Sequence, residues 1–399
     1  MAQIKLPRGV IALGFVSLFM DMSSEMIHSL LPVYLVVVLG ASALSVGFIE
    51  GIAEATAAIT KVFSGVISDW TGRRKLLVLM GYGLAALTKP LFPLATGMTA
   101  ILTARFLDRI GKGIRGAPRD ALIADITPAE QRGAAFGMRQ SMDTVGAFAG
   151  PLVAMALMAV SHDNFKLVFW VAVIPAVICV LLIVFWVDEP DGVRPSAIRR
   201  MPLNRVDMER LPVYFWRVVT FAAVLTLARF SEAFLLLRAE NVGLAVTWIP
   251  MILIVMNVVY AASAYPFGKY SDNGSRRYLM VLGVVLLIVA DVVLANAHNI
   301  WLVGLGAVIW GLHMGATQGL LSALVADAAP ADLRGTAFGI FNLASGLALL
   351  AASVIAGGLW AYFSPAATFY AGAGFAIIAL LGLVSTATPL SITVVKSSD

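Results

Sequence analysis

The chain has 399 residues, 60% hydrophobic and only 13% charged, where soluble domains carry roughly 25% charged residues. That balance argues against a large soluble helical protein, and a formal net charge of +5 then reflects membrane topology rather than nucleic-acid binding. The single cysteine, Cys179, lies in an apolar run, so no disulfide framework or cysteine metal cluster is available.

Apolar stretches long enough to cross a bilayer of about 30 Å recur along the whole sequence. They predict twelve helices, at 10–39, 44–69, 76–96, 98–122, 133–160 and 165–187, then 213–240, 244–270, 277–297, 299–325, 336–361 and 366–388. The first run continues well past a signal-peptide core, so no cleaved leader is expected. An internal repeat divides the set. Ala121–Gly137 (ALIADITPAEQRGAAFG) and Ala323–Gly339 (ALVADAAPADLRGTAFG) agree at 11 of 17 positions with an offset of 202. Repeats of this kind mark duplicated units. The expected organisation is therefore a six-helix bundle at 1–187, a solvated linker at 188–212 and a second six-helix bundle at 213–399.

With the N-terminus inside, fifteen lysines and arginines fall in cytoplasmic segments, among them Arg73, Arg74, Lys75, Arg276 and Arg277. The opposite segments hold essentially Lys166, with Arg238 near a helix end. The positive-inside rule then places both termini in the cytoplasm.

Ionisable residues inside the spans are candidates for function, because a charge facing lipid costs several kcal/mol. Span one carries Asp21, Glu25 and His28 on one face, and span two carries Glu50, Glu54 and Lys61. Burial favours the neutral form of a carboxylate, which suits Asp21, Glu25 and Glu54 to proton loading and release. Alternatives are a hydrogen-bonded structural cluster in span one and self-neutralisation of Glu54 by Lys61. Met22 and Met26 near the acid/His group leave a metal reading open but weak, and no metal site is assigned.

Span four is the least expected. Arg105, Asp108, Arg109, Lys112, Arg115 and Arg119 fall within an arc of about 120°, too long a basic stripe for a lipid face. A solvated helix end accounts for Arg115 and Arg119; the deeper Arg105 and Arg109 are candidates for holding a carboxylate or an anionic group. Span five adds Arg139, Gln140 and Asp143, with Asp143 a further proton-coupling candidate. The second half offers Arg229 and Glu232, either pairing or lining a cavity. It also holds His313 and Gln318 among glycines, and Asp291, expected near the outer end and in reach of water.

Two motifs carry a family resemblance. Gly65-Val-Ile-Ser-Asp69-Trp-Thr-Gly72-Arg73-Arg74-Lys75 is similar to the G-x-L-x-D-x-x-G-R-[RK] pattern of the major facilitator superfamily. It recurs at Gly268-Lys-Tyr-Ser-Asp272-Asn-Gly-Ser275-Arg276-Arg277. Glycine permits close helix approach, and Asp69 can accept bonds from a helix N-terminus or from Arg73; Asp125 is a further partner for the arginines. The cluster reads as a conformational latch. Gly137, Gly146, Gly150 and Pro151 resemble the span-five motif of the superfamily's antiporter branch, although Ala154 and Met155 replace its trailing glycine pair.

The resemblance implies an all-α polytopic membrane protein, with twelve transmembrane helices in two pseudo-symmetric six-helix bundles around a cavity exposed alternately to each side. It implies a secondary transporter, with proton-coupled efflux of a small or drug-like molecule as the first expectation. Carriage of an anionic metabolite and divalent-metal efflux are alternatives. An enzyme is not expected: the four histidines are scattered and neither H-E-x-x-H nor G-x-S-x-G occurs. The expected partners are a small-molecule substrate, protons and the lipid bilayer of a bacterial cytoplasmic membrane. No nucleic acid or cofactor is expected, and the chain is expected to act as a monomer.

Overall fold

A computed structural model describes residues 7–127, 132–188, 208–273, 275–329 and 333–385. Most of the expected linker lies outside these residues, and every regular element among them is helical. Six crossings come first: α1 (Arg8–His28), α2 (Ala43–Thr71), α3 (Arg74–Thr88), α4 (Met98–Ile126), α5 (Arg132–Val160) and α6 (Val173–Trp186). Six follow: α7 (Val213–Ala228), α8 (Pro250–Asn273), α9 (Arg276–Ala295), α10 (Ile300–Ala328), α11 (Arg334–Tyr362) and α12 (Pro365–Ser385). Eleven of the crossings are long and apolar enough to span a bilayer. The twelfth, α4, carries the basic stripe.

Two spans expected to be continuous are broken. In the first, Pro32 has no N–H for the carbonyl of His28, so the α-helical ladder cannot run through. The chain stops at His28, with the Ser29 N–H bonded back to Glu25 and Ile27. It resumes at Leu31–Val33, widens into a π turn at Tyr34–Val38 and reverses at Gly40, where φ is 65°. The seventh span stops at Ala228 and resumes as Ala233–Asn241 without any proline. Side chains replace the missing ladder. Ser231 Oγ accepts the Ala233 N–H at 3.2 Å, and the Ser231 N–H donates to Ser353 Oγ of α11 at 3.3 Å.

Other ends follow capping rules. Ser42, Asn164, Ser275 and Asn299 each accept a backbone N–H three residues on, at 3.0–3.2 Å. Gly72 closes α2 in the left-handed region (φ 65°), its N–H on the Ser68 carbonyl. Arg238 caps α9 from outside, donating to the carbonyls of Leu294, Ala295 and Ala297 at 2.7–3.1 Å. These carbonyls lie at or just past the helix end, where no intrahelical donor remains.

The two halves meet along α2 and α11. A Cβ on Gly47 would fall 2.1 Å from the Ser353 carbonyl oxygen, one on Gly51 3.0 Å from Leu350 Cα, and one on Gly357 2.6 Å from the Ala43 carbonyl oxygen. Small residues at these points let the two backbones touch, the usual basis of helix association in lipid. At the end remote from the basic loops, Thr247 Oγ1 donates to Asp163 across the same boundary. That end is closed. Because Cys179 is buried, introduced cysteines can be followed without background. Asp163→Cys with Thr247→Cys should cross-link efficiently with a short reagent, and Gly47→Leu should lower the yield several-fold. Equal yields with and without Gly47→Leu would show that the seam does not hold this end shut.

Candidate functional site

Between the halves lies a cavity of about 570 Å³. From the first half, Asp21 and Glu25 (α1), Glu54 and Lys61 (α2), Lys112, Arg115 and Arg119 (α4) and Asp143 (α5) line it. From the second come Arg229 at the α7 break, Gln318, Leu321 and Ser322 of α10, and Phe341, Asn342 and Leu349 of α11. All four carboxylates singled out in the sequence for proton coupling thus border one space.

Behind the wall is a buried ionic layer. Glu50 and Arg105, 1% and 2% exposed, pair at 2.8 Å. His28 bridges outward from them, with Nε2 3.5 Å from Glu50 and Nδ1 3.4 Å from Glu25. Lys89 donates to Asp108 and to Ser24 Oγ, each at 3.0 Å. Arg109 lies 3.3 Å from Glu54 and 3.7 Å from Asp108. His28, Glu50, Arg105, Asp108 and Arg109, expected in the substrate cavity, are instead the packed layer behind it. Close glycines make this layer possible: a Cβ on Gly113 would meet Thr60 Cβ at 2.5 Å, so α4 lies hard against α2.

Toward the basic end the wall is again paired. Asp21 stands 4.0 Å from Arg115, whose guanidinium lies over the Tyr82 ring at 4.6 Å. Arg119 donates to Ser17 at 3.1 Å and to Tyr82 at 3.2 Å, and lies 4.0 Å from Asp143. Arg139 pairs with Asp143 along α5 and with Gln140 at 2.9 Å, outside the cavity lining. Glu54 takes Arg109 as partner, not Lys61. No carboxylate among the described residues lies within 4.0 Å of Lys61, Lys112 or Arg229.

Several second-half expectations resolve differently. Arg229 and Glu232 do not pair within 4.0 Å, and Glu232 does not line the cavity. Gln318 does, accepting from Tyr260 at 3.0 Å. His313 is buried, its Nδ1 bonded to the Gly283 carbonyl at 2.8 Å. Asp291 does not reach water: it is 0% exposed and neither oxygen has a hydrogen-bond partner. It faces the α7 break, since a Cβ on Gly372 would be 2.6 Å from its Oδ2 and 3.1 Å from the Ala228 carbonyl oxygen.

In the latch region Asp125 takes Arg74, Nε to Oδ2 at 2.6 Å, while Arg73 is exposed at the turn into α3. A Cβ on Gly65 would lie 3.3 Å from Ala117 Cβ, Gly72 supplies the left-handed turn and Arg276 opens α9. The side chains of Asp69 and Asp272 and the surroundings of Gly137 and Gly268 lie outside the described residues. Gly146 and Gly150 press α5 onto α1, where a Cβ would fall 2.4 Å from the Leu18 and 2.7 Å from the Met22 carbonyl oxygen; Pro151 follows within α5.

The Major Facilitator Superfamily model matches residues 13–254 and 232–397 of the chain. An uncharacterized MFS-type transporter of Methanocaldococcus jannaschii is 32% identical over 95% of each chain. The class H tetracycline resistance protein of Pasteurella multocida is 25% identical over 70% of this chain and 71% of its own. Among solved structures, a peptide transporter POT in complex with sulfate superposes with a TM-score of 0.77 at 15% identity, covering 96% of this chain and 94% of that one.

The buried pair makes a prediction of its own. Arg105→Ala takes from Glu50 its 2.8 Å partner and leaves it His28 at 3.5 Å, and should cost about 3–5 kcal/mol, seen as a large fall in the thermal midpoint in detergent. Arg105→Met with Glu50→Leu should recover most of that loss. A double variant as unstable as the sum of the singles would mean that the two charges do not depend on each other.

Proposed function

Because the chain belongs to the major facilitator superfamily, a family of transporters, we propose that it moves a small organic molecule by alternating access and couples that movement to protons. The observation that carries the coupling is the convergence of Asp21, Glu25, Glu54 and Asp143 on one cavity, each against a basic partner. A proton on such an acid releases its partner, so the pairing pattern of the wall changes with occupancy. A ligand or proton shifts the inward–outward balance only through its different affinity for the two states. The bundles 1–187 and 213–399 rock against each other, with the α2–α11 seam as the line of contact. By the positive-inside rule the basic end faces the cytoplasm, which makes the end joined by Asp163 and Thr247 the outer one.

Such a cavity runs in one of two senses. An outgoing cation that competes with the proton for the carboxylates gives exchange, the efflux expected from the sequence. A cargo that binds better when the acids are protonated gives cotransport. Gly146 and Gly150 have a packing role against α1 that leaves the sense open, and the charge of the cargo decides it.

In proteoliposomes holding a trapped pH dye, a transported aromatic probe should move protons across the membrane. Asp21→Asn and Glu54→Gln should each abolish proton movement while probe exchange at equal pH persists. Probe flux with no proton movement in the unaltered protein would make the chain a uniporter.

A further inference from the structure

We infer that the cargo is an amphiphilic organic anion, its charged group held between Lys61, Lys112 and Arg229 and its apolar body against Leu321, Phe341 and Leu349. This inference rests on the transporter reading above and supplies its substrate class. Every acid on the cavity wall already has a base: Arg115 for Asp21, His28 for Glu25, Arg109 for Glu54, Arg139 and Arg119 for Asp143. A cationic cargo would have to displace one of them. Lys61, Lys112 and Arg229 have no such partner among the described residues, and all face the same space. These three bases bring positive charge from both halves to one cavity, where a carboxylate, sulfonate or phosphate group would find donors. Uncharged donors and acceptors stand beside them in Gln318, Asn342 and Ser322.

Two further features set the shape of the cargo. The cations come from both halves, Lys61 and Lys112 from α2 and α4 and Arg229 from the α7 break. An anion therefore ties the halves together and binds best where they approach, which is the differential affinity that alternating access requires. The apolar lining of α10 and α11 supplies a surface for a hydrocarbon or aromatic body. A volume of about 570 Å³ falls within the range of sites for small organic ligands.

Charge also fixes the sense of coupling. A proton on Asp21 makes the wall more positive and strengthens its hold on an anion, and by linkage the anion strengthens the hold on the proton. Bound together, they cross together.

Three naphthalene probes of one apolar body test this: 2-naphthoate, 2-naphthylmethanol and 2-naphthylmethylammonium, titrated calorimetrically onto the purified full-length protein. Naphthoate should bind at least about tenfold tighter than the alcohol, a difference of about 1.4 kcal/mol. Its affinity should rise between about pH 8 and about pH 6, where the probe stays ionised. Lys112→Gln and Arg229→Gln should each cost naphthoate about tenfold, with the alcohol unchanged and Lys112→Arg largely restoring binding. In proteoliposomes naphthoate should accumulate in the direction of proton flow. Tighter binding of the ammonium compound, no binding by naphthoate, indifference to both Gln variants, or naphthoate moving against protons would overturn the inference. Flux of the ammonium compound alone would leave the transporter reading standing without it. Naphthoate binding with no flux of any probe would instead remove the transporter reading.

Discussion

An ionised side chain within bilayer depth must meet its counter-charge or water, and that requirement shapes the first half of this protein. α4 carries eight charged residues, and the folded chain sorts them by the partners they meet. Arg105 and Asp108 are sealed against Glu50 and Lys89. Arg109 and Arg115 reach acids that border the cavity, and Lys112 is left to the open space. Once a buried pair is made, losing one member costs far more than the pair contributes. The layer behind the cavity is accordingly a fixed scaffold, and the groups free to change partner are those on the wall.

Much of the fold is legible without coordinates. The repeat at 121–137 and 323–339, the length of the apolar runs and the placement of arginines outline a duplicated twelve-span chain. Faces are legible too: Asp21 and Glu25 do share a side, and Glu54 does look inward. Pairing is not legible, because it depends on which helices neighbour which. Arg105 reads as a cavity residue because depth along a helix says nothing about the neighbour it will meet. Lys89, before Pro90 inside the span expected at 76–96, carries no sign of its partner in the sequence, although it donates to Asp108.

The two broken spans differ in the same way. The stop at His28 has a visible cause in Pro32, a few residues further along what looks like one helix. The stop at Ala228 has no proline to mark it; Ser231 supports it, through its own Oγ on the Ala233 N–H and through its N–H on Ser353, 122 residues away. The irregular backbone between Ala228 and Ala233 places Arg229 in the cavity. The partner on α11 is what local sequence cannot show.

The halves are alike in topology and unlike in chemistry. The second holds its interior with aromatic rings, Phe230 lying 5.5–5.6 Å from Phe234, Trp310 and Phe369, and Asp291 sits within that oily interior with no hydrogen-bond partner. Its consequence reaches back to the ribosome. A helix carrying an acid in its last turns enters the bilayer at a disadvantage, before α12 exists to enclose it. The span around Asp291 has a mean hydropathy of 2.7, among the highest in the chain. That surplus of valine, leucine and isoleucine favours partition of the nascent segment into lipid with its acid aboard.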